Sequence, residues 1–169
     1  MNKKIQIIYG SNNGATKAVV EKVSSKLSAK INNIYDVQIE ELEEADVYIF
    51  ASSTWGHGDL CDDWENHLSK IDQLKLKNKF VAFIGLGDQY VYGSTFCNAI
   101  SYIYHQIKKV NFKHIGLWPL DGYEHDDSES IVDNKFMGLT IDEDNQAKLT
   151  DARIEKWVSQ LEQEFSSKA

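Results

Sequence analysis

The chain has 169 residues, a formal net charge of −8, and 42% apolar and 11% aromatic residues. A chain of this length supports one sizeable core, so we expect a single domain over residues 1–169. No apolar run approaches the ~20 residues that span a bilayer, and the N-terminus lacks the apolar core of a signal peptide. Two cysteines make no disulfide framework, which favours a cytoplasmic location without membrane insertion.

The charged residues are unevenly distributed along the chain. Residues 119–144 hold nine acids and one base, and residues 31–69 hold ten acids and no lysine or arginine. Residues 1–30, in contrast, hold six lysines and one glutamate. Nucleic acids and anionic membranes bind to basic patches. The charge therefore argues against both of these partners and favours a basic protein partner, with solubility alone as the alternative.

Short apolar runs alternate with stretches of helical spacing. In chain order, the sequence predicts strand 5–9, helix 14–30, strand 34–39, strand 47–51, a helix starting near residue 62, strand 80–85, helix 96–109, strand 115–118, strand 136–141 and helix 150–165. Asn32 and Asn33 are expected to break the first helix before the second strand, and strand 136–141 to complete the one that ends at Trp118. Continuous apolar strands between helices predict a parallel sheet covered on both faces.

Three polar loops are expected at the carboxyl edge of this sheet, where ligands of parallel sheets bind. The first runs from Gly10 to Thr16, and its small polar residues let backbone N–H groups close around an anion at a helix N-terminus. A loop for a nucleoside triphosphate needs a glycine and a lysine where this chain has Ala15 and Thr16. The loop therefore indicates a bound monophosphate, with a well-capped turn as the alternative.

The next two loops each carry aromatic side chains, Trp55 in one and Tyr90 and Tyr92 in the other. A lone aromatic residue in a loop usually packs against its own scaffold. Two aromatic loops at the same edge as a phosphate loop can instead sandwich a flat ring system. Asp88 and Gln89 would then meet the polar edge of that ring.

The three loops together resemble the flavodoxin family, whose pattern is a phosphate loop, then T-W-G-x-G-[DE]-L, then G-x-G-D-Q with a following tyrosine. The matching segments are 10–16, 54–60, 85–92, 118–123, 138–146 and the last helix, with Arg153, Trp157 and Val158. The resemblance covers nearly the whole chain. An insertion over residues 119–136 is similar to the extra loop of long-chain flavodoxins, and the C-terminal part is similar to carriers from photosynthetic bacteria and algae.

The resemblance implies an α/β flavodoxin-like three-layer sandwich, with a five-stranded parallel sheet of order 2-1-3-4-5, helices on both faces and an interrupted fifth strand. It also implies one non-covalently bound FMN, with its phosphate in the first loop and its ring between Trp55 and Tyr92. The implied cofactor-binding residues are Ser11, Asn12, Asn13, Gly14, Ala15, Thr16, Ser53, Thr54, Trp55, Gly56, His57, Gly58, Gly87, Asp88 and Tyr92. Asn13 and Ala15 stand where the family usually has threonine and asparagine, which predicts weaker FMN binding.

By the same resemblance, the function is low-potential one-electron transfer rather than catalysis, with FMN passing between its semiquinone and hydroquinone. The implied partners are ferredoxin–NADP reductase and a low-potential acceptor or photosystem, and the carrier is expected to be a monomer. Acids follow Trp55 closely with no base before Lys70, and such carboxylates disfavour the anionic reduced flavin. An FMN-dependent quinone reductase and a flavin-free interaction module are the alternatives.

The resemblance also predicts that the Gly56–His57 peptide turns with the redox state, which glycine permits because it tolerates positive φ. His57 would charge below neutral pH and favour reduced flavin, and an ordinary solvated loop histidine is the alternative. The five histidines lack metal-binding spacing, and segment 142–153 lacks the glycine and glutamate of a calcium loop, so we expect no metal site. Cys61 and Cys97 are expected to be idle thiols.

Overall fold

The computed structural model describes residues 2–167, which form a parallel sheet with two helices on each face. The elements in chain order are β1 (Ile5–Gly10), α1 (Ala15–Leu27), β2 (Lys30–Asn33), β3 (Val47–Trp55), β4 (Asp59–Leu60), α2 (Asp62–His67), β5 (Phe80–Leu86), α3 (Ala99–Ile107), β6 (Lys113–His114), β7 (Ile131–Val132), β8 (Lys135–Phe136), β9 (Leu139–Ile141) and α4 (Thr150–Ser167). Short 3-10 turns lie at Ile39–Glu41, Leu68–Gln73, Gly93–Thr95 and Ala147–Leu149.

The main sheet has the order β2-β1-β3-β5-β6, and all of these neighbours pair in parallel. β6 pairs only with the first two residues of β5, whereas β9 pairs with its last three, from Ile84 to Leu86. β6 and β9 therefore share the fifth position of the sheet. This confirms the predicted order 2-1-3-4-5 and the interruption of the fifth strand.

The interruption differs in detail from the strands predicted at 115–118 and 136–141. The strand before the insertion is β6, because the backbone turns away at Gly116, which has a φ of +79°. Ile115 still donates a hydrogen bond to the Val81 carbonyl. Residues 136–141 divide into β8 and β9, and Gly138 between them passes so close to β5 that a Cβ would lie 2.0 Å from the Phe83 carbonyl oxygen.

The second strand was predicted at 34–39, and that prediction is wrong. α1 ends at Leu27 because Ser28 adopts the left-handed conformation and its N–H bonds to the Ser24 carbonyl. The chain then pairs with β1 at once, and Asn32, expected to break the helix, donates its side-chain amide to Gln6 Oε1 at 2.8 Å. β2 is at the edge of the sheet and none of its residues is fully buried, so a polar sequence can form it.

The core divides into two clusters because side chains of the central strands alternate between the faces of the sheet. Ile7, Ile49 and Ala82 face the cluster that contains α1 and α4. Their neighbours, including Ile8 and Phe50, face the cluster that contains α2 and α3. Within residues 2–167, none of the helices combines the length and apolar character that a bilayer crossing needs.

Candidate functional site

A cleft of about 310 Å³ opens at the carboxyl ends of β1, β3 and β5. Ligands of open parallel sheets bind at this edge, and the volume suits a small organic molecule. The lining residues are Asn13, Ala15, Ser53, Thr54, Trp55, Gly56, Leu86, Gly87, Asp88, Tyr92, Glu143 and Asp144. A larger groove of about 680 Å³, among Lys3, Lys4, Lys30 and their neighbours, lies at the opposite end of the strands.

The first loop folds into a tight turn ahead of α1. Ser11 Oγ accepts a hydrogen bond from the Gly14 N–H at 2.9 Å, and Asn13 Oδ1 accepts one from the Ala15 N–H at 3.1 Å. Gly14 has a φ of +86°, and a Cβ there would meet no atom within 4 Å. Gly14, the N-cap residue of α1, makes no side-chain cap hydrogen bond, and Asn13 bonds only to the first N–H of the helix, that of Ala15. The positive end of this helix is therefore open toward the cleft.

Thr16, in the first turn of α1, provides the test of whether an anion fits this loop. Its hydroxyl is fully buried and has no hydrogen-bond partner among residues 2–167. A buried polar group without a partner is rare in folded proteins and indicates a missing ligand or water. The loop therefore has a free donor and a helix N-terminus at one place, which fits the phosphate of FMN.

The second loop is the tip of a hairpin between β3 and β4, in which Trp55 pairs with Asp59. Trp55 is 37% exposed, and its indole N–H donates to Ser53 Oγ at 2.7 Å, which holds the ring at the cleft. Gly56 and Gly58 both have positive φ, at +52° and +100°, as the tip of this hairpin requires.

The third loop is organised by Asp88. Its Oδ1 accepts hydrogen bonds from the backbone N–H groups of Tyr90 and Val91 and from the side chain of Asn145. Burial raises the pKa of Asp88, but these three hydrogen bonds together outweigh burial and hold its pKa below the ordinary value. Tyr92 follows on this turn, 41% exposed, and lines the cleft together with Trp55.

A fourth loop, which the sequence reasoning missed, reaches the cleft after β9. Glu143 and Asp144 line the cleft, while Asp142 is fully buried and accepts hydrogen bonds from Gln89 and Asn145. Burial, followed by repulsion from the neighbouring carboxylates, raises the pKa of Asp144. The strand predicted at 136–141 could have located this loop, because the loop that follows a parallel strand lies at the same edge of the sheet.

Gln89 does not face a ligand, contrary to the expectation that it meets the polar edge of a ring. Its side-chain N–H donates to Asp142 Oδ2 at 2.7 Å, and its Oε1 accepts the Glu124 N–H at 2.6 Å. The side chain is 1% exposed. Gln89 therefore links the third loop to the fourth loop and to the insertion.

The structure places the predicted site residues in three groups. Those that line the cleft are Asn13, Ala15, Ser53, Thr54, Trp55, Gly56, Gly87, Asp88 and Tyr92. Ser11, Asn12, Gly14 and Thr16 belong to the first loop without lining the cleft. His57 is exposed at the hairpin tip, and Gly58 is buried against Thr95 and Asn98. Their roles as cofactor ligands stay predictions.

Other reactive side chains are outside the cleft. Cys61 and Cys97 are buried free thiols, and burial raises the pKa of each. Among residues 2–167, no three histidine, cysteine, aspartate or glutamate side chains are grouped as a metal site.

Comparison with known proteins identifies the family. The family model described as Flavodoxin matches residues 7–157. Flavodoxin from Nostoc sp. is 38% identical over 98% of this chain and 99% of its own length, and flavodoxin from Helicobacter pylori is 37% identical over 96% and 99%. The solved structure of Fusobacterium nucleatum flavodoxin bound to flavin mononucleotide has a TM-score of 0.88 and 31% identity, over 96% of this chain and 98% of that one. The chain therefore belongs to the flavodoxin family.

Proposed function

We propose that this chain is a low-potential one-electron carrier that binds one FMN non-covalently in the cleft at the carboxyl ends of β1, β3 and β5. Flavodoxins are electron-transfer proteins rather than enzymes, and they act as redox partners of other proteins. The observation that carries the proposal is the placement of an unpartnered buried hydroxyl, on Thr16, at the same cleft edge as the half-exposed rings of Trp55 and Tyr92.

The chain's own residues would bind and orient the cofactor. The first loop would hold the phosphate through Thr16 and the open N-terminus of α1. Trp55 and Tyr92 would hold the flat ring between them and keep water from its faces. When bound, FMN supplies the one-electron chemistry, and the protein sets its potential.

The charges at the cleft favour a low potential. Asp88, Glu143 and Asp144 line the cleft, and Asp59 lies across the hairpin from Trp55. Burial raises the pKa of Asp144, and repulsion from Asp88, Asp142 and Glu143 raises it further. The same repulsion opposes the gain of an electron by a bound group. The acids after β9 thus add to those after Trp55.

The Gly56–His57 peptide is the proposed redox-dependent element. Gly56 lines the cleft and has a φ of +52°. A Cβ added at this position would lie 3.2 Å from Asp59 Oδ2. A glycine here lets the peptide turn without the penalty that other residues carry. His57 is exposed beside it, which is compatible with either a charge effect on the cofactor or a simple solvated histidine.

The proposed partners are basic redox proteins: ferredoxin–NADP reductase and a low-potential acceptor or photosystem. Carboxylates surround the cleft, so electrostatic steering is expected to bring a basic surface to the exposed rings of Trp55 and Tyr92. Electron exchange should slow as ionic strength rises from low to moderate values. Rates that do not change with salt would contradict this steering.

We further propose that the protein works as a monomeric single domain in the cytoplasm. Both of its cysteines, Cys61 and Cys97, are buried free thiols, as is usual in a reducing compartment.

The deciding experiment is the visible spectrum of the purified protein, followed by titration of the apoprotein with FMN and of the holoprotein with dithionite. Binding of one FMN and reduction in two separate one-electron steps would support the proposal. Tyr92→Ala should weaken FMN binding, whereas Tyr102→Ala should not, because Tyr102 is a similarly exposed tyrosine on α3 that does not line the cleft. Oxidation of NADPH by the protein alone would favour a quinone reductase, and failure to take up FMN would favour an interaction module.

A further inference from the structure

The insertion packs on the loop that carries Tyr92, through residues 124–130, here called the clamp. The carbonyl of Gly93 accepts hydrogen bonds from the backbone N–H groups of Asp126 (2.8 Å) and Asp127 (3.0 Å). The contact is close, since a Cβ at Gly93 would lie 3.2 Å from Asp126 Oδ2. Because Gly93 directly follows Tyr92, the position of Tyr92 at the cleft depends on how firmly the clamp holds Gly93.

Further hydrogen bonds join the clamp to the chain after Gly93. The Asp127 carbonyl accepts the Phe96 N–H at 3.3 Å, and the Ser128 hydroxyl donates to the Phe96 carbonyl at 2.5 Å. The buried Ser130 hydroxyl donates to the Cys97 carbonyl at 2.7 Å. These hydrogen bonds join the clamp and the third loop, which carries Tyr92, into one packed unit.

His125, which is partly exposed, packs against two phenylalanine rings. Its ring stacks on Phe96 at a centroid distance of 5.4 Å and an angle of 29°, and contacts Phe136 at 5.1 Å. Its Nδ1 atom is buried and has no hydrogen-bond partner among residues 2–167. A neutral ring with its proton on Nε2 tolerates this position, whereas a protonated ring would bury an N–H without an acceptor.

The charged groups around His125 do not compensate for the missing acceptor at Nδ1. The charged groups that act on His125 are Asp127 and Asp126 in the clamp. Tyr123 contacts both phenylalanine rings, and the titratable sequence neighbours of these rings are Cys97 and Lys135. Burial lowers the pKa of His125 and outweighs the attraction of Asp127 and Asp126, which raise it. The clamp therefore favours the neutral ring.

We propose that neutral His125 is a positioning residue that holds the clamp on Gly93, and so holds Tyr92 at the cleft, and that protonation of His125 loosens the clamp and weakens FMN binding. The last step rests on the proposed function, but the clamp is a property of the protein without FMN. Since the pKa of His125 is lowered in the clamp, its stabilising effect is complete above the ordinary histidine pKa of ~6.5 and is lost as pH falls below that value.

The first test measures hydrogen exchange in the apoprotein. Protection of the Asp126 and Asp127 amides is compared at about pH 7.5 and 5.5, on either side of the ordinary histidine pKa. In the wild type, protection should fall by about tenfold at the lower pH, the effect of burying one N–H without an acceptor. His125→Phe keeps an aromatic ring that cannot charge and should remove the fall. His105→Gln, at an exposed position on α3, is the control and should behave like the wild type.

The second test measures the Kd for FMN over the same pH range as a ratio of wild type to His125→Phe, so that titration of the phosphate cancels. The ratio should rise by up to about tenfold as pH falls. Should His125→Phe not fold, His125→Gln, which is also neutral, supplies the same comparison.

Equal pH dependence in the wild type and the variant, in both exchange and Kd, would overturn the inference. A protein that binds no FMN at any pH would overturn the proposed function and the last step of this inference. Amide exchange in the apoprotein would still decide whether His125 holds the clamp.

Discussion

Replacing Thr16 with valine should separate the stability of the apoprotein from its affinity for FMN. The Thr16 hydroxyl is fully buried and unpartnered among residues 2–167, whereas valine has the same shape without the hydroxyl. Burial of an unpaired hydroxyl costs about 1–3 kcal/mol, so the Thr16→Val apoprotein should gain up to that free energy of unfolding. In a domain of this size each kcal/mol raises Tm by about 2–4 °C.

The same substitution should weaken FMN binding. A hydrogen bond to a charged group contributes about 1.5–3 kcal/mol, so loss of the bond from Thr16 to the phosphate should raise Kd about 10- to 150-fold. Urea unfolding of the apoprotein gives the stability, and quenching of flavin fluorescence gives the Kd.

Thr150→Val is the matched control for this experiment. The Thr150 hydroxyl is also buried without a partner among the described residues, but it lies at the start of α4 rather than beside the first loop. The control should stabilise the apoprotein and leave Kd unchanged. An unchanged Kd in Thr16→Val would refute the assignment of this hydroxyl to the phosphate. A less stable Thr16→Val apoprotein would refute the desolvation argument.

Three further substitutions test the fold and the hairpin. Gly138→Ala would place a Cβ 2.0 Å from the Phe83 carbonyl oxygen, so unfolding in urea should show a loss of about 3 kcal/mol or more; near-wild-type stability would contradict this close approach. Trp64→Phe removes the indole N–H that donates to the Ala51 carbonyl at 2.7 Å, so the free energy of unfolding should fall by about 1–3 kcal/mol. An unchanged free energy of unfolding would mean that another donor replaces the indole. Gly56→Val places a β-branched residue at a φ of +52°, so the free energy of unfolding of the apoprotein should fall by about 1–2 kcal/mol. Potentiometry of the holoprotein should show the two reduction potentials closer together. An unchanged separation would exclude the Gly56–His57 peptide as the switch.

The central strands were predictable because they are buried on both faces. The apolar runs in β1, β3 and β5 need no knowledge of their neighbours, since a strand covered by helices on both sides requires an unbroken apolar sequence. β2 gave no such signal. Its position depends on Ser28, which ends α1, and its pairing with β1 brings Asn32 to Gln6, 26 residues away in the chain.

The candidate site follows the same division. Loops that come directly after buried strands must meet at one edge of the sheet, so Trp55 and Tyr92 could be placed together in advance. Glu143 and Asp144 could not, because their position depends on the register of the three-residue strand β9 against β5. Side-chain direction was also undecided, as Gln89 shows by turning inward to Asp142.

The acids behind the net charge of −8 illustrate what the sequence determined and what the tertiary structure determined. The sequence alone showed where the acids are concentrated and which family's loops they accompany, because both are local properties of the chain. Only the tertiary structure decided that Glu143 and Asp144 line the cleft while Asp126 and Asp127 bind Gly93 beside it. The reason is physical: residues more than 30 positions apart come together through strand pairing and packing, which no local pattern specifies.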